Sequence, residues 1–548
     1  MPVKAEHSKT KMLIIGIDGG TWTILEPAIC AGAAPNLKTL REKGVWGILK
    51  STIPAITPAA WGAFQTGKNP GAIGVYDFYR WSAKERKDYP VNSTCLGKTI
   101  WQRFSQAGLT CGILNVPMTY PPQPVRGVVV SGLLTPSLES DFTYPAEFKE
   151  ELLRAVPDYD ILTFKRLQKQ KITKRTIRDF VNQMAQSVRM RTRAAEYIIH
   201  TKKPDVMMVQ FQSNDVIQHG LWHFLDPACP EYSEGLRNFV FDVFYRTLDF
   251  SIAEIVRTFY PDGNLSGGVF LLSDHGFARH RTRFNLGNWL VREGLLKIRS
   301  ARLLKVEVSE FAETVHLGKI LSYLLPSVWH QKVMRKFYPQ YIQVDWEHSR
   351  AFATGRCNEG FIHILEEDPE KKDSICRKII DALLKQRDPS TSEPIIEQVY
   401  RKEEIFKGAY LGQMPDLVVC PCTGYSITGA YQFEKGLFEP VRMKTDFHLG
   451  KHHRDGFYMA AGEGIQCLGS SQASLLDMAP TLLAYLGLPV PSCMDGQVRR
   501  EWFAPSFWEE NPIRWEQDES EEQKTSEDIY TSQEAEKVKK RLEELGYL

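Results

Sequence analysis

At 548 residues and 43% hydrophobic content the chain can bury a sizeable core, and its length calls for two compact units or one core with large insertions. Lys and Arg (68) nearly cancel Asp and Glu (66), and the formal charge of +2 argues against a chain built mainly to coat nucleic acid. Ten cysteines without a CxxC pair read as scattered reduced thiols, Cys420 and Cys422 included, and no apolar run approaches the roughly 20 residues that span a bilayer.

The first ten residues lead straight into the apolar run KMLIIGID, which leaves no room for a cleavable leader, so a cytoplasmic location is expected. Between residues 11 and 132, strand-like MLIIGID, TCGILNVP and RGVVVSG alternate with helix-like PNLKTLREKG and GKTIWQRFSQAG, the pattern of βαβ units. Residues 133–203 read as a helical insertion in which Lys165, Arg166, Lys169, Lys171, Lys174, Arg175, Arg178, Arg189, Arg191 and Arg193 are concentrated. Such a segment is a solvated helical face, or else a basic lid or surface that attracts an anionic substrate, nucleic acid or membrane.

The βαβ pattern resumes over 204–299 with VMMVQF, a long helical stretch and GGVFLLSD. Residues 300–407 form a second insertion, a smaller α+β cap, in which LGKILSYLLPSVWHQKVMRKFYPQYI mixes apolar and basic residues at helical spacing. Core elements return over 408–510 with DLVVC, DGFYMAAG and the helix LLDMAPTLLAYLG. The remainder, 511–548, is an acidic tail, expected to be mobile from Gln517 to Lys537, with a short helix near EKVKKRLEELGYL. The fold expected is α/β: a doubly wound, mostly parallel sheet with helices on both faces, plus the helical insertion and the cap.

Acids and histidines stand at the ends of the apolar runs. Asp18 follows the first, Asp215 closes PDVMMVQFQSND, and Asp274 with His275 closes GGVFLLSDH. In an open α/β sheet the carboxyl ends of strands are where ligands bind. Asp215 and His219, four apart in NDVIQHG, project from one face if a helix starts there, and can reach one ion. A structural ion pair is the plainer use of each of these groups. Thr57, before Pro58, reads as a helix N-cap; the same hydroxyl can also act as a nucleophile beside a cation and a helix N-terminus.

Taken in order, GIDGGTW, TIPAITPAAWGAFQTGKNPGAIG, NDVIQHGLW, LLSDHGF and GKHHRDGFYMAAG resemble the alkaline phosphatase superfamily. The closer likeness is to its type I phosphodiesterase/nucleotide pyrophosphatase branch and the predicted phosphohydrolase/phosphomutase proteins within it. SLLDMAPTLLAYLGLPVPSCMDG and the ending RLEELGYL are similar to those predicted phosphohydrolases. The resemblance implies an alkaline-phosphatase-like fold and a two-metal phosphohydrolase. It implies that Asp18, Thr57, Asp274 and His275 hold one metal, with Thr57 also the nucleophile that becomes phosphothreonine. Asp215, His219 and His452 would hold the second; His452 is preferred to His453 by the GxH pattern, and His448 is the weaker alternative. Oxygen and imidazole ligands suit Zn2+, with Mn2+ or iron acceptable.

Departures from the family pattern bear on the substrate. Where nucleotide pyrophosphatases carry an asparagine that contacts a phosphoryl oxygen, this chain has Asp77 and Phe78, which argues against nucleotide specificity. Ile73 replaces a usual histidine, and the CxPxR context of a sulfatase is missing at Thr57. The expected activity is cleavage of phosphodiester or pyrophosphate bonds in a phosphorylated small molecule. A phosphomutase or phosphomonoesterase on the same site is the alternative, and a non-catalytic module that binds a phosphorylated ligand is the alternative of another class. Arg356 and Asn358 are polar candidates to face the site.

Overall fold

Apolar runs that carry no polar alternation must be covered on both faces, and three of them lie side by side at the centre of this protein. The computed structural model describes residues 11–162, 172–265, 267–299, 344–355, 358–432, 435–442, 446, 448–517, 529–545 and 547. Its central sheet has nine strands: β1 (Met12–Ile17), β2 (Val45–Lys50), β3 (Cys111–Leu114), β4 (Gly127–Val130), β5 (Thr143–Tyr144), β6 (Val206–Phe211), β7 (Gly268–Leu272), β8 (Asp455–Gly462) and β9 (Gly469–Ser474). Their spatial order is β9-β2-β8-β7-β1-β6-β3-β4-β5. β1 runs parallel to β6 and β7, β3 is parallel to β4 and β6, and β2 is parallel to β9. Only β8, against β2 and β7, and β5, against β4, are antiparallel.

Side chains alternate between two cores, as the pleat requires. Leu13, Ile15, Ile17, Met207, Val209, Phe211, Val269 and Leu271 face one; Met12, Ile14, Val206, Met208, Phe270 and Leu272 face the other. Among the helices that frame these cores are α1 (Thr57–Thr66), α2 (Lys174–Lys202), α3 (Ser213–Leu225), α4 (Arg246–Phe259), α5 (Met478–Tyr485) and α6 (Ser532–Leu545). The first core is closed by α2, α3, α4 and α6, the second by α1 and α5. The doubly wound, mostly parallel sheet expected from the sequence is therefore present.

The run DLVVC does not join this sheet. Leu417–Pro421 pairs antiparallel with Gly360–Ile364 and Ile396–Arg401 in a separate four-stranded sheet completed by Ala351–Thr354. The helix Pro369–Leu384 packs on it through Cys376, Ile379 and Leu383. A short buried apolar strand reads alike in either sheet, so its pattern alone could not assign it.

Of the basic stretch, 163–171 lies outside the described residues, as do the apolar-basic run at 317–342 and Arg356. α2 buries Ile177, Phe180, Val181, Met184 and Val188. Arg191 is buried and donates to Tyr159 Oη (2.6 Å) and to the Asp160 and Ile161 carbonyls, while Arg193 pairs with Asp158 (2.6 Å). These two arginines brace the 158–161 turn. The expected tail helix is α6, and it is docked, with Val538, Leu542 and Leu545 buried in the first core. Among the described residues no helix is long and apolar enough to cross a membrane.

Candidate metal and active site

The carboxyl ends of β7, β1 and β6, three neighbours in the sheet, deliver five side chains to one place. Asp18 follows β1 directly. Gly19 then turns with φ +64°, where a Cβ would lie 2.4 Å from the Phe277 ring, and its N–H donates to Asp274 Oδ1 (3.1 Å). Asp274 and His275 follow β7. After β6, α3 begins at Ser213, so Asp215 and His219 stand one turn apart, with Asp215 Oδ1 3.6 Å from His219 Nε2.

His452 arrives on a short strand, Gly450–His453, paired antiparallel with Gly276–Arg279 so that His452 opposes Phe277. Gly276 is required there: a Cβ would sit 1.9 Å from the Asp455 carbonyl oxygen. In a strand, neighbours point to opposite faces. His452 is accordingly buried in the cluster, while His453 is partly exposed and accepts from the Asp455 amide (3.1 Å).

Thr57 opens α1. Contrary to the N-cap expectation, Ile56 holds the cap position (φ −132°, ψ 140°) and Thr57 is the first helical residue, leaving its hydroxyl 3.4 Å from His275 Nε2. The loop before it is fixed from two sides. Glu359 Oε1, from the smaller sheet, accepts from the Ala55 amide (3.1 Å), and the Ala55 carbonyl lies 3.2 Å from His452 Nδ1.

All seven residues singled out in the sequence thus meet, in two adjoining groups. Around His275 Nε2 lie Asp274 Oδ2 (3.3 Å), Thr57 Oγ1 (3.4 Å) and Asp18 Oδ1 (3.8 Å). Around Asp215 Oδ1 lie His452 Nε2 (3.3 Å) and His219 Nε2 (3.6 Å), themselves 3.1 Å apart. The His275 and His452 rings stack at 3.7 Å and join the groups.

Each imidazole turns Nδ1 to a backbone carbonyl: His219 to Gly450 (2.9 Å), His275 to Gly276 (3.2 Å) and His452 to Ala55 (3.2 Å). With Nδ1–H donating, every Nε2 lone pair faces inward. Asp18 Oδ1, Asp215 Oδ1 and Asp274 Oδ2 are buried and accept no hydrogen bond among the described residues.

Buried polar atoms are almost always satisfied, and buried carboxylates are paired. Here burial first, and then the neighbouring carboxylates, push Asp18 and Asp274 well above the ordinary range. Burial, then His452, keeps His275 neutral by driving its value down. Three facing carboxylates and inward lone pairs lack positive charge. Asp18, Asp274 and His275 on one side, and Asp215, His275 and His452 on the other, each bring oxygen and imidazole atoms within 4.8 Å of one another, donor sets that fit divalent metal ions.

Trp61, Gln210 and Tyr547 shape the site without having been expected, whereas His448, the weaker ligand alternative, and Asn358, a polar candidate to face the site, were named in advance. Asp18 Oδ2 accepts from Trp61 Nε1 (3.0 Å) and Gln210 Nε2 (2.7 Å). His448 Nδ1 lies 3.0 Å from His219 Nδ1, behind the face His219 turns to Asp215. Asn358 is buried beside the smaller sheet, its carbonyl accepting from Ile427. Tyr547 reaches Asp215 from the far end of the chain.

A family model for type I phosphodiesterase/nucleotide pyrophosphatase matches residues 12–455, a span that contains all seven converging residues. The chain belongs to this family. The resemblance to the alkaline phosphatase superfamily is thereby borne out, and so is the class of enzyme, a phosphoester hydrolase. Phosphonoacetate hydrolase from Sinorhizobium meliloti 1021, solved with phosphonoacetate, shares the fold (TM-score 0.52, 14% identity, 83% of this chain and 90% of that one). Murine ectonucleotide pyrophosphatase/phosphodiesterase 5, in an inactive form with AMP, aligns with a TM-score of 0.49 at 13% identity over 90% of this chain and 100% of that one. A comparison with curated proteins found no match.

Proposed function

We propose that this member of the type I phosphodiesterase family is a metal-dependent phosphohydrolase that cleaves phosphodiester or pyrophosphate bonds in a phosphorylated small molecule, through phosphothreonine at Thr57. Two divalent ions, zinc by preference, are held by Asp18, Thr57, Asp274 and His275 and by Asp215, His219 and His452. One observation carries the reading: three unpartnered carboxylate oxygens and three inward Nε2 atoms converge beside Thr57 Oγ1. Bound there, the ions supply positive charge that lowers the hydroxyl pKa and offsets charge on the phosphoryl oxygens.

The chain's own residues do the rest. Thr57 Oγ1 forms a bond to phosphorus as the bond to the leaving oxygen breaks in line and that oxygen departs with the threonine proton; water then cleaves phosphothreonine, releasing a phosphomonoester from a diester and restoring the Thr57 hydroxyl. The N-terminus of α1, which Thr57 opens, favours the anionic phosphoryl group. Burial of the whole cluster keeps bulk water from competing with the threonine.

A panel of nitrophenyl phosphomonoester, phosphodiester, phosphonate and sulfate substrates, assayed with zinc and with manganese, tests the proposal. The expected result is metal-dependent turnover fastest on the diester and lost in Thr57→Ala. Turnover that survives Thr57→Ala, or that is indifferent to chelation, overturns it. Phosphate moved within a sugar phosphate without release assigns a mutase instead.

A further inference from the structure

The outer oxygens of the two aspartates that stand one in each group are tied into a single hydrogen-bonded chain. Asp18 Oδ2 accepts from Gln210 Nε2 (2.7 Å), which also reaches Gln212 Oε1 (3.1 Å). Gln212 Nε2 donates to Tyr547 Oη (3.3 Å), and Tyr547 Oη donates to Asp215 Oδ2 (2.6 Å). Because the phenol oxygen already accepts from Gln212, its proton is directed at the carboxylate, and a short bond to an ionised acceptor is among the stronger kinds. The consequence lies on the other oxygen. With Oδ2 held, Oδ1 of Asp215 is turned to His219 and His452.

Tyr547 is placed for this by packing on every side. It is 1% exposed; its ring stacks on Phe78 at 4.7 Å and 28°, and meets His219 edge-on at 5.9 Å. Its amide donates to the Leu542 carbonyl (2.9 Å), which folds the chain back at the end of α6. The segment before the helix is pinned as well, Tyr530 stacking on Tyr120 and donating to the Leu134 carbonyl (2.9 Å). Phe78 is therefore the platform for this ring.

We infer that Tyr547 is a positioning residue of the metal site, which locks Asp215 in the orientation that completes the Asp215, His219 and His452 group. The inference rests on the two-metal reading above. Groups that orient metal ligands from behind typically change affinity about 10–100-fold when removed.

The test is metal affinity, measured on the full-length protein by competition with a chromophoric zinc chelator. The parent should bind two zinc ions. Tyr547→Phe keeps the stacked ring and should stay folded without metal, bind one ion as the parent does and the other about 10–100-fold more weakly. Gln212→Ala, which frees the phenol to rotate, should weaken the same ion in the same direction. A parent that binds two ions and a Tyr547→Phe variant that binds both equally well overturn this inference and leave the two-metal reading standing. So does a variant with unchanged affinity and faster turnover, which would make the ring a plug. A parent that binds no divalent ion overturns both.

Discussion

Thr57 and the three aspartates carry different kinds of burden, and substitutions should separate them. Thr57→Ala removes a hydroxyl and a methyl group from a helix start, so the variant should fold and, with one of the proposed ligands gone, hold metal more weakly at that group, while kcat falls by at least about 10³-fold. Asp274→Asn keeps shape and the Gly19 contact but loses the charge, and should cost metal content as well as rate. The raised Asp18 and Asp274 carboxyls set a pH dependence. In the metal-free fold they hold protons that the unfolded chain gives up. Their contribution to stability is full below the ordinary value of 3.8 and is lost as pH rises through their higher folded values. Metal must displace those protons, so zinc binding should strengthen with rising pH and release protons, a release read by calorimetry in buffers of different ionisation enthalpy.

At the scale of elements, the site depends on pieces far apart in sequence holding one another in register. Gly276→Ala drives a Cβ into the Asp455 carbonyl and should cost about 1–3 kcal/mol, with the strand carrying His452 displaced and zinc bound more weakly, a loss read by thermal melting and metal titration. Glu359→Ala leaves the buried Ala55 amide without its acceptor, at about 1–3 kcal/mol, and should lower kcat more than it raises KM because Thr57 lies two residues on. Much of this was legible in advance. MLIIGI, VMMVQF and GVFLL are buried on both faces and lead to the acids that meet, so an unbroken apolar run followed by a carboxylate marked the strand and the place of the candidate site. DLVVC has the same signal and went to another sheet, because a short apolar strand does not specify its partner. Tyr547 was not legible: it lies 332 residues from Asp215, behind an acid-rich stretch whose composition reads as solvent-facing.

The whole molecule is a discontinuous α/β core whose two faces are closed by elements from both ends of the chain, α1 and α6 among them. Leu542→Ala should therefore destabilise the entire fold, by about 2–5 kcal/mol, rather than merely loosen a tail. The smaller sheet takes part too, through Glu359, in holding the Thr57 loop. The reaction proposed for this phosphoester hydrolase lies at the carboxyl ends of β7, β1 and β6. Its most direct measurement is titration of chelator-stripped protein with zinc while following hydrolysis of a nitrophenyl phosphodiester. Activity should appear from zero, reach its plateau at two equivalents of zinc, and be absent from Thr57→Ala throughout. Hydrolysis by the stripped protein, or equal hydrolysis by Thr57→Ala, would contradict a two-metal site built around Thr57.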